Sequence, residues 1–220
     1  EKHITSKTRV LILNSPSNPT GSVQLHKDLK DLANLAQQHN FYVIADEVYE
    51  KMVYDGIKHY SIASFPGMHA RTVTVNSLSK TYAMTGWRIG YATADRPIID
   101  HMTQLQQFTM VHAPAISQRA ALAALTGPQD FVDHMIQRFD ERRQFLVKRL
   151  NKLSPFRCPT PKGAFYVFPN IRDSHYSSTE FAQYLLKTCN VACVPGSAFR
   201  THGEGYLRLI FELERMMDNA

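Results

Sequence analysis

The chemistry-bearing side chains of this 220-residue sequence stand where short apolar runs end. Asn18 follows the run Val10 to Leu13, and Asp46 with Glu47 closes Phe41 to Ala45. Ser77 and Lys80 follow Val73 to Val75, and Arg88 immediately precedes Ile89 to Ala92. Continuous apolar runs are expected of strands in a parallel sheet with both faces covered. In an open α/β sheet, ligands sit outside the carboxyl ends of such strands. A carboxylate and an amine gathered there are reactive-looking and would suit proton transfer. Singly, each has an ordinary alternative. Asn18-Pro19-Thr20-Gly21 is a good turn sequence, Asp46 and Glu47 could start a helix, and Lys80 could be a solvated surface lysine. Arg208 is different, because it interrupts the apolar stretch Tyr206 to Phe211. Alternation sets Leu207, Leu209 and Phe211 on one face and Arg208 with Tyr206 and Ile210 on the other. A bare buried charge is costly, so Arg208 must reach water or meet an anion.

The elements that must position these residues follow from periodicity. Leu25, Leu29, Leu32, Ala33 and Ala36 recur at helical spacing between the first two apolar runs. Alternation of strand and helix makes this half α/β, with a mostly parallel sheet flanked by helices. From Pro97 the pattern is helical through Gln107, and again from Ala115 to Leu125. After Gly127-Pro128, a long amphipathic stretch runs to about Leu153, with Phe131, Met135, Ile136, Phe139, Leu146 and Leu150 as candidate buried positions. Beyond Pro155 to Pro161, strands are expected at Ala164 to Phe168, Val191 to Val194 and Tyr206 to Phe211, with a helix over about Thr179 to Thr188. This reads as a smaller α+β C-terminal domain, and the expected boundary gives domains 1–127 and 128–220. The chain opens on Glu1 rather than Met and enters a buried-looking strand almost at once, so an N-terminal part is expected to be missing.

Composition narrows the class. The chain is 44% hydrophobic and 20% charged, and no apolar run approaches the ~18 residues of a membrane span. The net charge of +6 and pI near 9.2 favour anionic partners. The basic residues are dispersed, however, and the densest stretch, Arg138 to Lys152, also carries Asp140 and Glu141. It reads as the wet side of a long helix, so no nucleic-acid partner is expected. Cys158, Cys189 and Cys193 suggest small buried thiols in a reducing compartment, since Cys189 and Cys193 lack a second ligand pair. The ten histidines show no ligand spacing, so each reads as surface or core filling and no metal is expected. No signal-peptide core precedes the first strand, so the expected location is cytoplasmic.

Taken together, Asn18-Pro19-Thr20-Gly21, Asp46-Glu47-Val48-Tyr49, Ser77-Leu78-Ser79-Lys80 and Met84 to Tyr91 occur in an order that resembles the fold type I pyridoxal-phosphate enzymes. The likeness is closest to the class I/II aminotransferases of the aspartate aminotransferase family, and it runs from about Val10 to Phe211. The resemblance implies pyridoxal 5′-phosphate as cofactor and Lys80 as the Schiff-base lysine. It implies Asp46 beside the pyridine nitrogen, and Tyr49 and Asn18 at the phenolic oxygen. Ser77 and Arg88 would clamp the phosphate. Arg208, with Asn18, would hold the substrate α-carboxylate. Transfer of an amino group between an L-amino acid, aspartate or a similar one, and a 2-oxo acid is the implied activity, carried out by a homodimer. A lyase on the same fold and a non-catalytic, aminotransferase-like sensor domain are the alternatives. The missing N-terminal part leaves the activity of this exact chain open.

Overall fold

The computed structural model describes residues 2–211, and they gather into two compact units. The first holds the chain up to Pro16, Val23–Val53 and Lys58–Val132; the second holds Ser17–Ser22, Tyr54–Ile57 and the chain from Asp133 onward.

In the first unit, β1 (Val10–Asn14), β2 (Tyr42–Asp46), β3 (Thr72–Ser77) and β4 (Gly90–Thr93) form one sheet in that spatial order. The helix α1 (His26–Gln38) crosses from β1 to β2, which makes that pair parallel, and β2 and β3 are parallel as well. Leu29, Ala33 and Ala36 form the buried stripe of α1 and pack against Phe41, Val43 and Ala45, with Ile62 and Met68 closing the layer. Full burial of a leucine such as Leu29 is worth about 2 kcal/mol, and the two alanines let helix and sheet approach closely. Leu25 precedes the helix and is exposed.

One expectation needs correction here. The strand over Ile89 to Ala92, β4, pairs antiparallel with β3. The link between them turns back through the short helix α2 (Leu78–Thr81), whereas a parallel neighbour needs a crossover long enough to span the sheet. Among the described residues, one face of β1 and β2 is the packed one. Leu11, Leu13, Val43 and Ala45 pack towards α1, while Val10, Ile12 and Tyr42, pointing the other way, stay exposed. Helices α3 (Arg96–Thr109) and α4 (Ala115–Thr126) complete this unit. Ala121 of α4 packs with Leu78 and Met84, which seats α2.

The second unit contains most of α5 (Asp130–Leu150), then β5 (Tyr166–Val167), α6 (Ser178–Cys189), β6 (Val194–Pro195) and β7 (Leu207–Ile210). The three strands form an antiparallel sheet in the order β5-β7-β6. The start of α6 is held by a capping box, in which Ser177 and Glu180 satisfy each other's backbone N–H groups. Ile171, Phe181, Ala182 and Leu207 make the core. Of the three cysteines, Cys158 is buried but Cys189, at the end of α6, is exposed. Burial pushes the Cys158 thiol up to about 12.

Helix α5 departs from its sequence reading in two ways. Phe131 is exposed, because a seven-residue spacing from the buried Phe139 selects Val132 instead. Arg143, expected on the wet side, is 1% exposed and shares the inward stripe with Phe139, Leu146 and Leu150. It donates to both carboxylate oxygens of Asp55 at 3.0 and 2.6 Å, to Asp140 at 2.7 Å and to the carbonyl of Pro161 at 2.6 Å. Its guanidinium also lies over the Tyr54 ring, 4.6 Å from the centroid. Burial pushes the Tyr54 phenol up, and it donates to the Ala164 carbonyl at 2.6 Å. Lys162 adds a second cation to Asp55 at 2.7 Å.

Replacing Arg143 with Ala strands this arrangement and leaves a cavity. We expect a loss of about 3 kcal/mol in urea unfolding. The hydrogen bonds from Arg143 and then Lys162 hold the Asp55 carboxyl well below the usual carboxylate range. Its contribution is therefore present above the unfolded value, near ~4, and is lost as pH falls below it. Stability measured between pH 6 and pH 3 should fall less steeply in Asp55→Asn than in the wild type.

Candidate active site

In the first unit, Asp46 is the last residue of β2 and lies between Asn14 of β1 and Val75 of β3. Its carbonyl accepts from the Ser15 N–H and from the Asn14 side-chain amide, each at 3.2 Å, while the Glu47 N–H donates to the Val75 carbonyl at 2.9 Å. The backbone is thus tied to both neighbouring strands where the sheet ends. The half-buried carboxylate accepts from the Val48 N–H at 3.3 Å, which turns the chain out of the strand. Tyr49 follows in this turn, so Asp46 and Glu47 do not start a helix, and Tyr49 is buried.

Ser77 ends β3 and caps α2. Its hydroxyl oxygen accepts from the Ser79 N–H at 3.1 Å and its O–H donates to the Ile89 carbonyl at 3.3 Å. Lys80 is half-buried in the last turn of α2, whose Leu78 and Thr81 are buried and anchor it. Arg88 adopts the left-handed conformation (φ 51°), is exposed, and donates to the Thr85 carbonyl at 2.8 Å. Parallel pairing of β2 and β3 thus brings Asp46, Ser77 and the segment carrying Lys80 to one edge of the sheet. A cavity of about 360 Å³ opens beside this segment, bounded by Glu50, Asn76, Ser77, Tyr82 and Tyr91; Lys80 and Arg88 do not line it. Tyr82 donates to Gln129 at 2.9 Å, in keeping with a packing role.

In the second unit, Asn18 and Arg208, 190 positions apart, are joined by a 2.9 Å hydrogen bond from the guanidinium to the Asn18 amide oxygen. The loop carrying Asn18 is fixed by Gly21. Its carbonyl accepts from the N–H groups of Lys162 and Gly163 at 2.9 and 2.8 Å. Gly21 has φ 66°, and a Cβ there would collide with Pro161 and come within 2.9 Å of two carbonyl oxygens. Only glycine meets both demands.

Sequence reasoning missed several participants. Arg208 lies over two rings, Tyr166 at 4.9 Å and Phe199 at 5.1 Å from their centroids. Tyr166 falls within the expected strand Ala164 to Phe168, but nothing in the sequence signalled what either ring would face. His59 is the other omission. Its Nε2 stands 3.2 Å from a Glu47 carboxylate oxygen, and Glu50 completes a group whose ligand-capable atoms lie within 4.8 Å of one another. Neither the spacing of 47, 50 and 59 nor their neighbours signalled this.

With this geometry established, comparison with known proteins defines the class. The family model for aminotransferase class I and II matches residues 1–219, and the chain belongs to that family. It is 47% identical to the aspartate aminotransferase of Pyrococcus abyssi and 44% identical to aromatic-amino-acid aminotransferase 2 of Thermococcus litoralis, in each case over 99% of this chain and 58% of the relative. The solved structure of an aromatic aminotransferase from Pyrococcus horikoshii superposes with a TM-score of 0.94 at 46% identity, covering 97% of this chain and 57% of that one. The aspartate aminotransferase structure from Rhizobium meliloti matches at 0.91 and 38% identity, over 96% and 56%. The fold is therefore that of the fold type I aminotransferases, and the chain spans under three-fifths of the relatives' length.

Gly21→Ala should destabilise the protein by about 2 kcal/mol, from the left-handed backbone and the forced displacement of the 161–166 segment. Thermal unfolding checks this, and a change below about 0.5 kcal/mol would show that the loop yields without cost.

Proposed function

We propose that the protein is a pyridoxal-phosphate-dependent aminotransferase that moves an amino group between an L-amino acid, aspartate or a similar one, and a 2-oxo acid. The observation that carries this reading is the placement of Asp46, Ser77 and Lys80 in succession at the carboxyl edge of adjoining parallel strands, β2 and β3. The donor set matches the cofactor's parts: a carboxylate for a protonated ring nitrogen, an amine for an aldehyde, and a hydroxyl and a guanidinium for a phosphate dianion. When bound, pyridoxal phosphate supplies an aldehyde that condenses with amines and a ring that accepts the electron pair released at the substrate carbon.

The residues would divide the work as follows. Asp46, its backbone tied on both sides, holds a proton on the ring nitrogen. Tyr49 and Asn18 donate to the phenolic oxygen. Arg88 and Ser77 would grip the phosphate. The Lys80 Nζ would provide the amine that tethers the cofactor's aldehyde and would move the proton at the substrate Cα. Arg208 receives the α-carboxylate, and its planar fork suits that group. On this reading residues 1–127 are the C-terminal part of the large cofactor-binding domain, and 128–220 are the interdomain helix and small domain. A homodimer and a cytoplasmic location complete the proposal; among the described residues no helix is long and apolar enough to cross a membrane.

The test uses the full-length protein incubated with pyridoxal phosphate and reduced with borohydride. The label should map to the peptide bearing Lys80. Lys80→Ala should lose the label and essentially all transamination, and Asp46→Ala should lower kcat by about 10³-fold. Labelling of another lysine, or full turnover in Lys80→Ala, would overturn the assignment.

A further inference from the structure

The surroundings of Arg208 contain more than a cation waiting for a carboxylate. The guanidinium carbon is 4.9 Å from the Tyr166 ring centroid and 5.1 Å from that of Phe199. Tyr166 lies on β5 and is buried, Phe199 lies in the turn after β6, and Arg208 stands on β7, the strand between β5 and β6. Phe199 is held in turn by Phe168, at 6.1 Å with the rings edge to face, and Phe168 stacks on Tyr206 at 5.0 Å. The nearer ring is therefore backed by strand packing and the farther one by an aromatic chain.

The remaining contacts of Arg208 are sparse for a permanent charge. One terminal nitrogen donates to the neutral Asn18 oxygen, and the inner nitrogen, Nε, is shielded from solvent without an acceptor among the described residues. No carboxylate pairs with it among those residues, in contrast to Arg143. Ring faces attract a cation through their quadrupole but do not neutralise it. A guanidinium stripped of water on its inner edge and lacking a counter-ion directs its demand for an anion to its outer nitrogens.

We infer that Tyr166 and Phe199 are positioning residues. They act as an aromatic clamp that fixes the plane of the Arg208 guanidinium before substrate arrives, so that its unneutralised end is preformed for a planar carboxylate. The inference rests on the proposed function for the identity of that carboxylate. The clamp lies wholly within the second unit, together with Asn18, and so needs no rearrangement to be assembled. Removing a ring loosens the arginine without removing its charge. Its effect falls on carboxylate binding, while the tethering amine of Lys80 is untouched.

The test measures binding by calorimetry, without turnover. Succinate and 3-phenylpropionate, unreactive carboxylates, are titrated into the full-length protein and into Phe199→Leu, Phe199→Tyr and Tyr166→Leu. Each leucine variant should bind both acids about fivefold to tenfold more weakly, and Phe199→Tyr, which keeps a ring, should stay within about twofold of wild type. In steady-state assays the leucine variants should raise KM by the same factor with kcat largely kept. Because Tyr166 is buried, Phe199→Leu carries the decision if Tyr166→Leu fails to fold. Unchanged affinity in a folded Phe199→Leu, or an equal loss in Phe199→Tyr, overturns the clamp. Borohydride labelling separates the two claims. Absence of a Lys80 label in the wild type defeats the function reading alone, whereas normal labelling with unchanged carboxylate affinity defeats the clamp alone.

Discussion

Parallel pairing of β1, β2 and β3 is the constraint on which the first unit depends. Parallel strands all present their carboxyl ends on the same edge, so any residue that ends a strand is delivered to the same side of the sheet. The register makes this specific, because Asp46 is opposite Asn14 on one side and Val75 on the other. Hydrogen bonds from Ser15, Asn14 and Glu47 then tie that point of the backbone to both neighbours. A side chain on so restrained a backbone needs little further ordering to act. The turn at Val48 and the short helix α2 exploit this, since each leaves the sheet at a fixed place.

The second unit solves the problem of an arginine inside a protein twice, with opposite results. Arg143 is fully enclosed and surrounded by acceptors: two carboxylates, a carbonyl and the face of Tyr54. Its charge is neutralised on the spot, and the group ties α5 to the 54–57 segment. Arg208 receives one neutral oxygen and two ring faces. Among the described residues no carboxylate pairs with it. The first arrangement is a structural cross-link; the second leaves a directed demand for an anion, which is what a binding site requires.

Both arginines act on segments from the early part of the chain. Asp55 belongs to one and Asn18 to the other, and both segments pack with the second unit. The Asn18 loop is locked through the backbone of Gly21, where the left-handed conformation and close approach of the 161–166 segment leave no room for a side chain. Main-chain contacts of this kind depend on shape rather than on side-chain chemistry, so they hold Asn18 beside Arg208 whatever else the loop carries.

Much of this was legible beforehand, and the limits have a common cause. The amino-acid sequence alone determined the order of strands and helices, the α/β character, and the candidates Asn18, Asp46, Tyr49, Ser77, Lys80, Arg88 and Arg208. The element order and α/β character rest on periodicity, a local property of a chain, whereas the candidates rest on the family resemblance that their ordered motifs carry. Tertiary structure decided the reversed direction of β4, the burial of Arg143 and the exposure of Phe131. It also decided the rings around Arg208 and the meeting of Glu47 with His59. Each of these depends on which distant segment occupies the space beside a residue. A charged side chain at a helical stripe position looks the same in sequence whether water or Asp55 stands opposite. Only the folded chain supplies the partner, and the partner determines whether the charge is buried, neutralised or left to bind.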